Sequence, residues 1–181
     1  MKVYNWEISS VEYISSFKGK NEILDFLMIS LSSVFLGTVV LSIFLLYLYF
    51  KNKNNFKIVT FRIILAVLLA DLTSRFLFKY WFLRMRPQFL FKECHESYCY
   101  GFVSSHASDI FAIITIFIFM NKKNVVWTIP LALLVCFSRL FLNDHFPLDL
   151  IGGAVLGIIS GLCVQRLTAS FYYQNEKSLF S

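Results

Sequence analysis

The apolar residues of this chain are grouped in long continuous blocks instead of recurring once per helical turn. A helix needs roughly 20 mostly apolar residues to cross a bilayer. Blocks that approach or exceed this length lie at about 24–50, 57–79, 105–121, 124–143 and 147–168. Of the 181 residues, 57% are hydrophobic and 15% are charged, whereas a soluble domain has ~25% charged residues. The sequence therefore predicts an all-α, polytopic membrane helical bundle with about five transmembrane helices, formed as a single domain over residues 1–181.

The first residues of the chain differ from the blocks that follow. Between positions 3 and 17, apolar and polar residues are interleaved, which predicts an amphipathic interfacial helix lying on the membrane. Its apolar residues include Val3, Trp6, Val11, Tyr13, Ile14 and Phe17. Residues 1–22 have no apolar core, so we expect no cleavable signal peptide. The first long block would then act as its own insertion signal.

The net charge of +6 favours an anionic partner. Because the blocks leave no basic soluble surface, nucleic acid is not expected and anionic lipid is favoured. Segments 51–57 and 121–124 contain lysines without acidic residues, which is typical of cytoplasmic loops. The opposite loop, 80–103, is also basic, so counting alone leaves the orientation open. If its charges serve a site, that loop and the amino terminus lie outside the membrane and the carboxyl-terminal tail lies inside.

Two cysteines lie in the 80–103 loop. Cys94 and Cys99 would form a disulfide if the loop lies outside the inner membrane, and they would be free thiols if it lies in the cytoplasm. With His95 as the one histidine nearby, the segment does not suit zinc.

Three polar clusters interrupt or border the apolar blocks. They are KYWFLRMRP (79–87), VSSH (103–106) and SRLFLNDHFPLD (138–149). The first two border one loop, and two blocks later the chain returns to that side, so all three clusters share one membrane face. A charge at the bilayer centre costs ~2.5–3.5 kcal/mol. Such a concentration of charge therefore indicates a functional site.

The residue types in these clusters suit a phosphate. Lys79, Arg86 and Arg139 supply fixed positive charge and forked donors. Ser104 and Ser105 stand where the third block begins, and the backbone N–H groups of a helix start can bind an anion. Two histidines, His106 and His145, are enough for a nucleophile and a general acid. Asp149 follows His145 by four residues and is placed to orient the imidazole of His145.

The spacing of these residues resembles the type 2 phosphatidic acid phosphatase family, which shares its site with vanadium haloperoxidases and acid phosphatases. That family has the patterns K-x6-RP, PSGH and SR-x5-H-x3-D. The first and third match this chain at 79–87 and 138–149. In the second, Val103 replaces proline and Ser105 replaces glycine. The resemblance covers roughly residues 70–165.

The resemblance implies a catalytic role for each residue. His145 would attack phosphorus and become phosphohistidine with support from Asp149, and His106 would protonate the leaving oxygen. The phosphate would be held by Lys79, Arg86, Ser104, Arg139 and the backbone N–H of Ser105. No cofactor and no metal would be needed. The change from glycine to serine places a side chain beside the phosphate.

The favoured function is hydrolysis of a lipid phosphate ester at the outer face of a bacterial inner membrane. The small size of the chain resembles bacterial lipid A 1-phosphatases, so lipid A 1-phosphate is the favoured substrate. Undecaprenyl diphosphate, phosphatidylglycerophosphate and phosphatidic acid are alternatives. Two other classes stay open: a phosphotransferase that passes phosphate to a second lipid, and a transporter or scaffold that binds an anion without catalysis.

Other residues in the same blocks have simpler interpretations. Arg84 is flanked by aromatic residues and is expected to be an interfacial residue whose charge reaches the headgroups. Asp71 and Arg75 are four apart, with Lys79 four further on. They form either a structural ion pair or, as we favour, a support that positions Lys79. Small residues every fourth position in the last block predict close helix packing, and they are Gly153, Gly157 and Gly161.

Overall fold

The computed structural model describes residues 2–51, 53–120, 123 and 125–179. These residues are mainly helical, which confirms the all-α class for the described part of the chain. The α-helices are α1 (Asn5–Ser15), α2 (Glu22–Ser32), α3 (Val34–Lys51), α4 (Lys53–Leu72), α5 (Lys79–Phe82), α6 (Ser105–Met120), α7 (Val125–Phe141) and α8 (Pro147–Leu179). A π-helix, Thr73–Phe78, joins α4 to α5, and two 3-10 turns, Pro87–Phe89 and Ser97–Cys99, lie in the following loop.

One described helix is both long and apolar enough to cross a membrane by itself. It is the Pro147–Ala169 part of α8. Glu22–Ser32 and Gly37–Ile43 meet the same criteria only when taken together, with a bend of 59° between them. Helices α6 and α7 are apolar but have 16 and 17 residues. A bundle of about five spans therefore stays a prediction.

The block at 24–50 is not one continuous helix, because the structure divides it into α2 and α3. Ser33 is extended, with φ −75° and ψ 126°, and its N–H donates to the carbonyl of Ser30 at 3.0 Å. Serine hydroxyls compete with helical hydrogen bonds, so consecutive serines favour such a break. The break matters for the site, since the Ser32 side chain is buried there and contacts Arg139.

Two other expected boundaries also differ. Helix α4 begins at Lys53 and takes in most of the segment 51–57 that we expected to be a loop. Helix α8 continues from the predicted end at 168 to Leu179. In the predicted loop 121–124, all residues except Lys123 lie outside the described residues.

The glycine stripe of α8 lies against α6. A Cβ on Gly153 would be 2.5 Å from the carbonyl oxygen of Ser104, and one on Gly161 would be 2.6 Å from the Cβ of Thr115. Only hydrogen fits at these positions, as the stripe predicted. The close approach brings the starts of both helices together, and the N–H of Ser104 donates to the carbonyl of Asp149 at 3.0 Å.

The loop after α5 begins with an extended segment. Leu83 ends α5 in the left-handed region, with φ 44°. Residues 84–86 then pair with 99–101 through an antiparallel bridge between Met85 and Tyr100. In an extended segment, alternate side chains point to the same side. Arg84 and Arg86 therefore share a face. Further out in the loop, Cys94 and Cys99 form a disulfide with a Cα–Cα distance of 6.2 Å.

Helix α1 lies within the expected segment 3–17 and is amphipathic in its burial. Glu7 and Val11 are buried, whereas Trp6 and Tyr13 are 52% and 69% exposed. The helix itself is thus confirmed, and its position on a membrane surface stays a prediction.

Candidate active site

His145 and Asp149 lie side by side where α7 gives way to α8. Nδ1 of His145 is 3.7 Å from Oδ2 of Asp149, which is an ion-pair distance longer than a hydrogen bond. Oδ2 also accepts from the backbone N–H of Phe146 at 2.9 Å. Both side chains are buried, with exposures of 2% for the histidine and 0% for the aspartate.

The surroundings of His145 keep its imidazole neutral. Burial lowers the pKa of His145 to about 4, and the positive charge of Arg86 acts in the same direction. The carboxylate of Asp149 opposes this shift without cancelling it. A nitrogen nucleophile must be unprotonated to attack. His145 therefore meets this condition at neutral pH.

The start of α6 brings two further predicted residues to the same place. Ser104 is fully buried, and its Oγ has no hydrogen-bond partner among the described residues. Nε2 of His106 is also a buried atom with no hydrogen-bond partner among the described residues. Buried polar atoms are rarely left unpaired in proteins unless they serve a ligand or reaction. Both atoms are therefore candidates for contact with a bound anion.

The side chain of Ser105 is already engaged. Its Oγ lies 2.9 Å from Oγ of Ser74, which is buried in the π-helix. The serine that replaces the glycine of the family pattern thus has its hydroxyl bonded to the π-helix.

Arg139 is held from two sides. Nη2 lies 2.8 Å from Oδ2 of Asp144, Nη1 donates to Oγ of Ser32, and Nε has no partner among the described residues. The whole residue is 8% exposed. Neither Asp144 nor Ser32 was predicted as part of the site. Asp144 stands next to His145 in the third motif, and this position is the sequence signal that indicates it.

The other predicted cations lie on the neighbouring segment. Arg86 is partly buried, and its Nε is 3.4 Å from the carbonyl oxygen of Tyr100. Burial lowers the pKa of Arg86, and the charges of Asp144 and Asp149 oppose that shift. Lys79 begins α5 directly after the π-helix and is partly buried. π-Helical turns are frequent at functional sites because they shift the register of the following residues.

The expectation for Arg84 is wrong. Its side chain is not at an interface but is 1% exposed inside the protein. Nη1 donates to Oδ1 of Asp149, and Nη2 donates to Oε2 of Glu7 at 2.5 Å. The aromatic neighbours Tyr80 and Trp81 suggested an interface. The extended backbone after Leu83 instead directs Arg84 to the same face as Arg86.

Asp71 and Arg75 form an ion pair, with 2.6 Å between Oδ1 and Nε. The arginine side chain is 58% exposed, and exposed pairs contribute little to stability. A supporting role for Lys79 stays a prediction.

The donors of the site suit an anion. In the described part of the chain, no three His, Cys, Asp or Glu side chains come close enough to share a metal ion. Metal-independent turnover stays a prediction.

Comparison with known proteins connects this geometry to a family. The sequence profile of the PAP2 superfamily matches residues 59–173, a range that includes all three motifs. This chain belongs to the PAP2 superfamily. The resemblance to the type 2 phosphatidic acid phosphatases is thereby confirmed. The PAP2 match begins after α1, so Glu7 lies outside it.

Two curated PAP2 relatives are similar in sequence. The lipid A 4'-phosphatase of Porphyromonas gingivalis is 31% identical over 147 residues, which cover 71% of this chain and 60% of the relative. The undecaprenyl-diphosphatase BcrC of Bacillus subtilis is 27% identical over 169 residues, which cover 91% of this chain and 84% of the relative. The matched region thus spans 60% of the length of the first relative.

Two crystal structures share the fold. LpxE of Aquifex aeolicus has a TM-score of 0.69 at 22% identity, with 92% of this chain and 98% of that chain covered. A PAP2-type phosphatidylglycerolphosphate phosphatase from Bacillus subtilis has a TM-score of 0.68 at 20% identity, with 91% and 85% covered. At this identity the likeness concerns the fold alone.

Proposed function

We propose that this PAP2 protein is a metal-independent membrane phosphatase that hydrolyses a lipid phosphate ester through a phosphohistidine at His145. The proposal rests on one observation. Helices α6 and α7 bring together buried polar atoms that have no partner among the described residues. They are Ser104 Oγ, His106 Nε2 and Arg139 Nε.

The proposed reaction has two steps. Because Nδ1 of His145 faces Asp149, Nε2 would attack phosphorus, forming an N–P bond as the ester P–O bond breaks. His106 would give its proton to the leaving lipid oxygen. In the second step, His106 would take a proton from water. The water oxygen would attack phosphorus, the N–P bond would break, and inorganic phosphate would be released. Fixed donors stabilise the charge on the transferring group in both steps, and they would be Lys79, Arg86, Ser104, Arg139 and the Ser105 N–H.

The proposed substrate is a membrane lipid. Large apolar side chains are exposed along α8, including Ile151 and Val155 at 57% and 51%. Acyl chains would lie along this surface within the bilayer while the phosphate reaches the site. We favour a lipid A phosphate, with the 1-phosphate as first choice. Undecaprenyl diphosphate is the second candidate, since the BcrC relative is matched over 84% of its length. Phosphatidylglycerophosphate comes next, and nucleic acid is not expected.

A substrate panel tests the proposal. Detergent-purified protein would be incubated with lipid A phosphorylated only at position 1 or only at position 4', with undecaprenyl diphosphate and with phosphatidylglycerophosphate. Free phosphate and product masses would then be measured, with His145→Ala as the control. Transfer of label to an acceptor lipid without phosphate release would indicate a phosphotransferase. No reaction with any lipid would favour a transporter or scaffold and reject the phosphatase.

We further propose that the site faces the periplasm of a bacterial inner membrane and that the chain spans this membrane several times. The Cys94–Cys99 disulfide supports this orientation, because disulfides persist in oxidising compartments. Lys92 is exposed in the same loop. Lys92→Cys, in a chain whose native cysteines are replaced by serine, should react with an impermeant maleimide on spheroplasts. Reaction only after permeabilisation would reverse the orientation.

A further inference from the structure

His145 and Asp149 form the proposed catalytic dyad. A buried chain of three charges extends from this dyad to the amino-terminal helix. Asp149, Arg84 and Glu7 are 0%, 1% and 0% exposed. Arg84 donates to one carboxylate with Nη1 and to the other with Nη2, so a single guanidinium bridges both. Buried charges require close partners, because their desolvation is costly. The three side chains therefore act as a unit.

Arg84 and the backbone together hold the Asp149 carboxylate in one orientation. Oδ1 accepts from Arg84, while Oδ2 accepts from the N–H of Phe146 at 2.9 Å and faces His145. Without Arg84, Oδ1 would be a buried acceptor lacking its charged donor. The carboxylate would then be free to rotate away from His145.

Glu7 connects α1 to this unit and also to α8. Its Oε1 accepts from the N–H of Leu148 at 3.3 Å, in the first turn of the helix that contains Asp149. Its Oε2 accepts from Arg84 and from the N–H of Tyr4. Acidic groups stabilise helix starts because these have unpaired N–H groups and a positive dipole end. The position of α1 is thereby tied to the position of Asp149.

We propose that Arg84 is a positioning residue that holds Asp149 against His145, and that Glu7 completes this support so that full turnover requires α1 docked on the site. This inference rests on the proposed function for its kinetic consequences. Both residues are buried and bonded to protein groups, so their loss should lower kcat more than it changes KM.

We expect the two variants to change the pKa of His145 differently, because each acts on it through Asp149. Loss of Arg84 leaves Asp149 uncompensated, which raises the pKa of His145. Loss of Glu7 leaves the positive charge of Arg84 less compensated, so this loss does not raise the pKa of His145. One uncompensated unit charge beside a buried imidazole shifts the pKa of that imidazole by about one unit. The other charged and titratable groups around His145 are unchanged in both variants, and they are Arg86, His106 and Arg139.

The experiment combines kinetics with a titration that needs no turnover. The variants are Arg84→Gln, Arg84→Lys and Glu7→Gln. Glutamine at position 7 keeps an acceptor for Leu148 but loses the charge. Matched controls are Glu12→Gln on the same helix and Lys92→Gln in the same loop as Arg84, since both residues are exposed. The three histidines of the chain would be labelled with ¹³C and titrated by NMR, with His95→Gln and His106→Gln for assignment.

We expect Arg84→Gln to lower kcat about 100-fold and to raise the His145 midpoint by about one pH unit. Glu7→Gln should lower kcat about tenfold without raising the midpoint. Arg84→Lys should recover part of both effects, because lysine keeps the charge but cannot bridge two carboxylates as a fork. The controls should match the unmodified protein in all measurements.

Other outcomes separate this proposal from the proposed function. Equal loss of kcat in all three variants with an unmoved His145 midpoint would mean a purely structural role and would overturn the proposal. If the unmodified protein released no phosphate but the midpoints moved as expected, the phosphatase assignment would fail while the support of Asp149 would hold. If Arg84→Gln failed to fold, Arg84→Lys and Glu7→Gln would decide the question by the same measurements.

Discussion

Gly101→Ala places one methyl group against the dyad and tests how tightly the site must be packed. Gly101 is buried in the segment that pairs with residues 84–86. A Cβ there would lie 3.0 Å from Oδ2 of Asp149, 3.1 Å from Cγ of Arg86 and 3.4 Å from Nδ1 of His145. The first two distances are shorter than ordinary van der Waals contact, so these neighbours must move by a few tenths of an ångström.

The neighbours differ in how easily they can move. The Arg86 side chain is flexible, whereas the Asp149 carboxylate is held by Arg84 and by the Phe146 N–H. Overpacking of this kind typically costs about 1–3 kcal/mol. Displacement of a catalytic group by ~1 Å lowers rates about 100-fold. We therefore expect a smaller displacement to lower kcat about tenfold, with a loss of roughly 1 kcal/mol in unfolding free energy.

The assay is lipid phosphate release at saturating substrate, with thermal unfolding in detergent measured in parallel. Gly37→Ala is the matched control, because a Cβ at that position in α3 meets no atom within 4 Å. It should retain activity and should stabilise the helix slightly. Unchanged kcat in Gly101→Ala would show that the dyad tolerates displacement, and the geometric argument for Asp149 would be refuted.

The remaining predictions concern the reacting groups. His145→Ala should abolish turnover of every phosphate ester. His106→Ala should lose ~10²–10⁴-fold in activity on a lipid ester but far less on a nitrophenyl ester, whose leaving group needs no proton. Equal losses on both esters would show that His106 is not the general acid. Arg139→Ala should lower kcat about 100-fold or more while the fold is retained. Asp144→Asn is the comparison for Arg139→Ala, because this variant removes the charge that Arg139 contacts. A wild-type kcat in Arg139→Ala would mean that this arginine has a structural role. Activity should survive EDTA and be blocked by vanadate; loss with EDTA that magnesium restores would contradict the proposed site.

Most of the helical framework could be predicted from the sequence, because long apolar blocks are a local property of the chain. The expected last span, 147–168, agrees with the apolar Pro147–Ala169 part of α8. The block at 24–50 shows where this reasoning ends. Composition cannot distinguish one continuous helix from two, since the extended backbone of Ser33 depends on what surrounds it.

The residues of the proposed site could likewise be predicted only in part from the sequence. Residues such as His145 and Asp149 could be found because they are four apart at a helix start, and loop parity places the other motifs on their side. The contacts of Arg84 with Glu7, of Arg139 with Ser32 and of Leu148 with Glu7 join residues 77, 107 and 141 positions apart. Such contacts depend on backbone turns and on helix packing.

Arg84 shows the physical reason most clearly. Its flanking aromatic residues predict an interfacial position, yet the left-handed Leu83 and the bridge between Met85 and Tyr100 turn its side chain inward. The pairing partner lies 15 residues further along the chain, so no local pattern specifies it. The sequence by itself determined which groups are available for the chemistry. The tertiary structure decided which buried charges support them, because a charge is stabilised inside a protein only where the fold brings its partner within reach.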